Sequence, residues 1–260
     1  MTLEALIFDV DGTLADTEET HRQAFNYAFV RYGLDWDWSR SLYRELLRIS
    51  GGKERIAHFI AALAVSCADK ARLLRLVPAI HSAKTELYTE LIGDGRCTLR
   101  PGVVRLLTEA RDAGLKLGIA STTTSANVNA LLARHRAPCF HTMASGDLVP
   151  RKKPEPDIYD SVLATLGLSA DRCVAFEDSA NGVRAAKAAG LFTVVTPSQW
   201  TVGEPFDGAD LELPHLGDER CPLPPEQART VGAPWLGLEQ LRALHTAASG
   251  QVIALARAVS

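Results

Sequence analysis

The chemistry-bearing residues begin with two aspartates. Asp9-Val10-Asp11-Gly12-Thr13 follows a short apolar run over residues 3–8. On an extended segment residues two apart point the same way, so Asp9 and Asp11 face one side. Gly12 lets the chain turn sharply straight afterwards. Other apolar runs end in groups that complement these carboxylates. Residues 117–120 lead into Ser121-Thr122, and residues 173–176 lead into Glu177-Asp178. Lys152-Lys153-Pro154-Glu155-Pro156-Asp157 places Lys153 just ahead of a helix that the prolines start. Asp9, Asp11 and Asp178 offer hard oxygen ligands suited to magnesium. A carboxylate attacking an anionic phosphate meets like-charge repulsion, which a divalent cation and a lysine ammonium offset. A hydroxyl such as Ser121, with backbone N–H groups, holds the remaining phosphoryl oxygens. Each feature alone has a plain structural reading. Asp11-Gly12 is a turn, Ser121-Thr122 a helix N-cap, Lys153 a solvated lysine, Glu177-Asp178 a cap for the helix after it. All of them together, each at a strand end, favour chemistry. Lys152 reads as a surface lysine.

Strand ends that share one site require a parallel sheet. Short apolar runs at 3–8, 115–120, 173–176 and 191–195, with a weaker one at 142–144, alternate with helical patterns at about 102–113, 125–135, 156–166 and 180–189. Gly114 and Gly190 suit helix C-caps. The expected fold is α/β, a doubly wound parallel sheet joined by right-handed crossovers. Residues 16–98 break the alternation, with apolar positions at helical spacing throughout. The expected organisation is therefore an α/β core of residues 1–15 and 99–260, with a helical cap domain at 16–98 inserted after the first strand. Residues 214–237, rich in Pro and Gly, read as an ordered-to-mobile surface loop before a last helix at about 237–246.

Composition bounds the partners. The chain has 260 residues, 28 basic and 31 acidic, for a net charge of −3. That balance points to neither nucleic acid nor an anionic membrane as a partner, so a phosphorylated ligand needs a local basic cluster. Five cysteines without a Cys-x-x-Cys pair argue against a disulfide framework or a zinc site. No apolar run approaches a membrane span, and Met1-Thr2-Leu3-Glu4 does not read as a targeting signal. A cytoplasmic location and a monomer are expected.

Taken in order, Asp9-x-Asp11-Gly12-Thr13, Ser121 after an apolar strand, Lys153-Pro154 and Glu177-Asp178 resemble the four motifs of the haloacid dehalogenase superfamily. The resemblance implies that Asp9 is a nucleophile forming an aspartyl-phosphate. Asp11 would protonate the leaving oxygen and then activate water. Lys153 would stabilise Asp9 and the phosphate. Asp178, Asp9 and the Asp11 carbonyl would hold Mg2+, with Glu177 assisting. Dehalogenases and phosphonate hydrolases of the superfamily lack an acid two residues after the nucleophile, so Asp11 favours phosphoryl transfer.

The helical insert carries a second set. Glu18, His21 and Arg22 share a helix face near the hinge, and Arg22 reads as a solvated residue. Gly51-Gly52-Lys53-Glu54-Arg55 opens a helix with free backbone N–H groups and two positive charges. Lys84 lies on a late helix. With Leu34-Asp35-Trp36 and the 213–218 tail, these segments resemble the CbbY-type phosphatases associated with Calvin-cycle operons. That group removes the 1-phosphate of xylulose-1,5-bisphosphate, an inhibitor of Rubisco. The resemblance implies that Glu18 and His21 contact sugar hydroxyls, and that Lys53 and Arg55, flanked by Gly52, hold the distal phosphate with Lys84. Thr122 and Thr123 join the substrate-binding residues. The competing readings are a β-phosphoglucomutase-like phosphomutase, a broad-range small-metabolite phosphatase, and a non-catalytic sugar-phosphate-binding module.

Overall fold

The structure is a computed structural model. It describes residues 2–259 apart from 96, 136, 137 and 147, and only the backbone at 134, 135 and 249–259. Six parallel strands form one sheet: β1 (Ala5–Phe8), β2 (Lys116–Ser121), β3 (Thr142–Ser145), β4 (Cys173–Glu177), β5 (Phe192–Val195) and β6 (Leu211–Glu212), in the order β3-β2-β1-β4-β5-β6. The order reverses direction at β1, which is the hallmark of double winding and puts a crevice at the carboxyl end of β1. The strands are apolar on both sides because helices cover both sides. In β1, Leu6 and Phe8 enter one buried cluster with Ile119, Phe176 and Leu106, the last from α5 (Val103–Asp112). Ala5 and Ile7 enter another with Ile158 and Val162 of α7 (Asp157–Leu166). Phe8 stacks on Phe176 with ring centroids 4.4 Å apart. The expected doubly wound α/β sheet is present, with the two-residue β6 added at its edge.

Four helices stand between β1 and α5: α1 (Glu18–Arg31), α2 (Arg40–Leu46), α3 (Gly52–Ala62) and α4 (Cys67–Gly93). They bury a cluster of their own around Phe25, Phe29, Trp38, Tyr43, Ile56 and Ile80. Ser39 and Ser66 cap α2 and α4, each accepting a backbone N–H three residues on. One side chain from the sheet half, Trp200 in the loop after β5, also enters this cluster.

After β2 and β4 come α6 (Ser125–His135) and α8 (Ala180–Ala188), and the chain ends with α9 (Pro225–Val231) and α10 (Leu238–Val259). Here the structure corrects two expectations. The last helix runs to Val259, well past 246, because residues 247–259 hold no proline and only one glycine, Gly250. The 214–237 segment, expected to be an ordered-to-mobile surface loop, is not all loop. It contains α9, started by Pro225 at its first turn, and is held from beneath. Arg105 donates to the carbonyls of Leu216, Gly217 and Leu236. Arg100, 9% exposed, donates to the carbonyls of Gly12, Thr196, Pro197 and Pro214. Among the described residues no helix is long and apolar enough to cross a membrane.

Candidate active site

The parallel register sets Phe8 opposite Ile119 on one side and Phe176 on the other. The residues just past these strand ends therefore meet at one place. The Asp9 N–H donates to the Phe176 carbonyl at 3.0 Å, which fixes the start of the loop after β1. Lys153 ties three strand ends together. Its Nζ donates to Asp9 Oδ1 (2.7 Å), Glu177 Oε1 (2.5 Å) and the Ala120 carbonyl (2.9 Å). Tyr159 of α7 donates its hydroxyl to the same Glu177 oxygen. Gly12 (φ +85°) faces Asp178 so closely that a Cβ there would lie 2.1 Å from Asp178 Oδ2. No other residue fits that turn.

Asp9, Glu177 and Asp178 are all buried, and an oxygen of each lies within 4.8 Å of the others. Among the described residues Lys153 is the only cation bonded to any of them. Burial, aided by the nearby Glu177 and Asp11 charges, lifts the Asp9 carboxyl to about 8 against the pull of Lys153. Burial also raises Asp178, with Asp9 and Glu177 adding to it. Lys153 is held above its usual value, because Asp9 and Glu177 outweigh burial. Glu177 Oε2 is buried without a hydrogen-bond partner among the described residues. Such a surplus of buried carboxylate is costly on its own. A divalent cation fits this donor set, since it would neutralise the surplus and accept hard oxygen ligands.

Asp11 has different neighbours. Its Oδ1 accepts the Thr17 hydroxyl (2.6 Å) and His21 Nε2–H (2.9 Å). His21 Nδ1 lies 2.5 Å from Lys84 Nζ, and the ring stacks on Tyr88 at 4.0 Å. Lysine only donates, so Nδ1 accepts and Nε2 carries the proton toward Asp11. Burial, and after it the Lys84 charge, lower His21. Burial alone would raise Asp11, but His21 and Thr17 override it and hold the carboxyl near about 2. Lys84, 4% exposed, is lowered by burial to about 7. Oδ2 of Asp11 makes no hydrogen bond among the described residues, so it is available to a reacting group.

A cavity of about 780 Å³ opens over these groups, between the strand ends and the four helices. Asp9, Asp11, Lys153, Asp178, Thr122 and Thr123 line its sheet side. Glu18, His21, Gly52, Lys53, Arg55 and Lys84 line its helical side. Two of the expected residues do not line it. Glu177 is fully buried behind Lys153, and Ser121, 1% exposed, accepts the Thr123 N–H at 3.3 Å. Arg55 lines the wall, but its guanidinium is engaged with the Leu46 and Ile49 carbonyls and the Tyr43 hydroxyl. Tyr43 in turn donates to Glu18 (2.9 Å). Arg22 is paired with Glu19 away from the cavity. A Cβ on Gly52 would meet His81 Nε2 at 2.6 Å, so the start of α3 approaches α4 only as glycine.

Several cavity residues escaped the sequence reading. Arg44, Arg48 and Arg184 add positive charge to its wall. Lys152, read above as a surface lysine, also lines it and pairs with Glu54 across the cleft at 2.7 Å. The doubled lysine before Pro154 was the one local signal for it. Thr17 carried none.

Most of the chain is similar to known proteins. A family model described as haloacid dehalogenase-like hydrolase matches residues 3–190. The CbbY protein of Cupriavidus necator, plasmid-borne, is 47% identical over 247 residues, covering 94% of this chain and 97% of that one. CbbY of Rhodobacter capsulatus is 48% identical over 230 residues, 87% of this chain and 99% of its own. The crystal structure of Rhodobacter sphaeroides CbbY with phosphate matches with a TM-score of 0.75 at 46% identity, over 82% of this chain and 95% of that one. A mutant of that protein was crystallised with xylulose-(1,5)bisphosphate. The β-phosphoglucomutase of Bacillus subtilis is 30% identical over 217 residues, 83% of this chain and 91% of its own. With its four strand-end motifs gathered into one cleft, the chain belongs to the haloacid dehalogenase-like hydrolase family and, within it, to the CbbY phosphatases.

Proposed function

We propose that this phosphatase hydrolyses a sugar bisphosphate, with xylulose-1,5-bisphosphate as substrate and xylulose 5-phosphate as product. The observation that carries the proposal is a cavity lined by two unlike groups: buried carboxylates with Lys153, and the further cations Lys53, Arg48 and Lys152 that belong to no such cluster. A bisphosphate needs two separated anion sites, and the bisphosphate held by the R. sphaeroides relative supports the choice.

Asp9 Oδ attacks phosphorus of the 1-phosphate in line, forming an aspartyl-phosphate as the ester oxygen leaves. Asp11 Oδ2 gives that oxygen its proton and afterwards takes one from the water that cleaves the aspartyl-phosphate. Asp11 sits low in the absence of substrate. A bound phosphate dianion next to it raises it, which loads it as an acid before transfer. Lys153 neutralises the attacking carboxylate and then the transferred group. Thr122 and Thr123 offer N–H and hydroxyl donors to its oxygens, and Ser121 shapes their loop through the Thr123 N–H. Asp9, Asp178 and the Asp11 carbonyl would hold Mg2+, with Glu177 behind them. Bound there, the ion would supply charge neutralisation for an anionic nucleophile meeting an anionic substrate. Residues 16–98 act as the cap. Glu18 faces the sugar hydroxyls, and His21, with both ring nitrogens engaged, acts beside it through Asp11. Lys53 faces the distal phosphate, Arg55 backs it through Tyr43 and two carbonyls, and Lys84 acts from behind His21. Binding energy at the distal end closes the cap and excludes water.

The test is Mg2+-dependent phosphate release from xylulose-1,5-bisphosphate, ribulose-1,5-bisphosphate, fructose-1,6-bisphosphate, phosphoglycolate and β-glucose 1-phosphate. The expected result is a kcat/KM preference of about a hundredfold for the first, about 3 kcal/mol in transition-state binding. Slow hydrolysis of all five without preference would leave a broad-range phosphatase. Formation of glucose 6-phosphate from β-glucose 1-phosphate would favour the phosphomutase reading, which the B. subtilis relative keeps in view.

A further inference from the structure

The loop after β5 touches both halves of the molecule with adjacent residues. Trp200, 4% exposed, leaves the sheet half and packs in the hydrophobic cluster of the four helices. Its ring meets Tyr43 edge-on (5.5 Å, 87°), and the Arg40 guanidinium lies over it at 5.0 Å. Gln199 adds two bonds to α2, accepting from Arg40 at its side chain (3.0 Å) and from Arg44 at its carbonyl (2.8 Å). The next residue turns the other way. Thr201 Oγ1 donates to Asp178 Oδ2 at 3.1 Å.

The segment between these contacts is stiff. Thr201 Oγ1 accepts the Ser198 N–H (2.9 Å), and the Thr201 N–H returns to the Ser198 carbonyl (3.1 Å). The Ser198 hydroxyl also accepts the Trp200 N–H (3.3 Å). Glu204, just downstream, accepts the Ala180 N–H at the start of α8, two residues past Asp178. Trp200 and the Thr201 hydroxyl are thus both tied to Ser198.

We propose that Thr201 is a positioning residue that aims the Asp178 carboxylate, and that Trp200 makes this aim depend on the cap being docked. The loop after β5 then links cap closure to readiness of the cation site. The inference rests on the reading of Asp178 as a cation ligand. Thr201 acts on the cation site through its hydrogen bond to Asp178. It restrains Asp178 together with the neighbouring Ser198 side chain, and partners of this kind are commonly worth about 10–100-fold in metal affinity. With the cap docked, Trp200 is packed and Thr201 is in place. With the cap released, the Trp200 ring loses Tyr43 and Arg40, and the turn that fixes Thr201 loses its anchor.

The test is direct Mn2+ binding to the full chain without substrate, read from the electron paramagnetic resonance of free Mn2+. Thr201→Val keeps the shape and removes the hydroxyl, and is expected to weaken Kd about tenfold or more. Thr201→Ser should bind within about twofold of the parent protein, since it restores the donor. Trp200→Ala should weaken Kd severalfold, with Trp200→Phe between it and the parent. The Thr201→Val/Trp200→Ala double variant should bind no worse than Thr201→Val alone, because the ring acts through the hydroxyl. Circular dichroism melts report folding, and the Ser and Phe variants carry the test if Val or Ala unfolds the chain. Parent-like Mn2+ binding by Thr201→Val would overturn the role of Thr201. Additive losses in the double variant would overturn the link to Trp200. Asp178→Asn separates this from the underlying reading: if it too binds Mn2+ like the parent, Asp178 is not a cation ligand and the site assignment itself fails.

Discussion

On the sheet side of the cavity Asp9, Lys153, Glu177 and Asp178 are nearly inaccessible, and neighbouring strand ends fix each of them. On the helical side Lys53 and Arg48 are exposed, and among the described residues their side chains make no hydrogen bond or ion pair. The difference follows from what each side must do. Bond-making groups need fixed geometry, which adjacent strands supply. Groups that meet a variable and incoming anion can be solvated until it arrives, and they then contribute binding that closes the cleft. His21 and Lys84 cross this division. They belong to the helices yet are buried, and they are bonded to Asp11 through His21. The helical half therefore contributes to the chemistry as well as to selection.

Substitutions on the two sides should break in different ways. The largest effect is expected for Asp9→Asn, which should lower phosphate release by about 10⁴-fold or more with an unchanged circular dichroism spectrum. Near-parent turnover would end the nucleophile assignment. His21→Ala should lower kcat by about 10²-fold. Without the His21 N–H, Asp11 moves up from about 2 toward the ordinary carboxylate range, so the acidic limb of the pH–rate profile shifts to higher pH. An unmoved limb would take His21 out of the Asp11 network. Lys53→Ala should raise KM for a bisphosphate about tenfold and leave a monophosphate nearly unaffected. Lys84→Ala should instead lower kcat for both substrates alike, since its amine is bonded to His21. A loss confined to the bisphosphate would move Lys84 to the distal end.

The smallest effect is thermal. The folded, cation-free chain keeps a proton on Asp9 up to about pH 8, where the ordinary value is 3.8. Between those values the folded state binds more protons than the unfolded state. The contribution of this carboxyl to stability therefore falls as pH rises through that window. A divalent cation takes the place of the proton, and it does so more readily at pH 8. The Tm gain on adding Mg2+ should be a few degrees larger at pH 8 than at pH 5.5. An equal gain at both would mean that no proton leaves on binding.

The sheet half was legible because its carboxylates directly follow short apolar runs, where local order alone decides which way a side chain faces, and Lys153 stands beside a helix-starting proline. Asp9, Asp11, Lys153, Glu177 and Asp178 could be placed together without any knowledge of packing. The helical half was legible in its residues but not in their partners. Lys84 reads as a binder of the distal phosphate, and only the packing of α4 on α1 sends its amine to His21. Lys152 reads as solvated, and only the seating of α3 over the sheet brings Glu54 to it. β6 is two residues long, too short for any period to register. α9 lay inside a Pro-rich stretch, where Pro224-Pro225-Glu226 was a start signal outweighed by composition.

Arg100 gives the C-terminal region a physical character its composition hides. Its guanidinium serves carbonyls from residues 12, 196, 197 and 214, segments that are remote in sequence and meet only in the finished molecule. If residues 214–236 peeled away, a buried cation would lose an acceptor and gain water only by opening the turn beside Asp9 as well. Local fraying there is thus linked to disruption of the whole. In hydrogen exchange, the hydrogen-bonded amides of this glycine- and proline-rich stretch, such as those of Leu223 and Leu236, should open with the strands of the sheet rather than ahead of them.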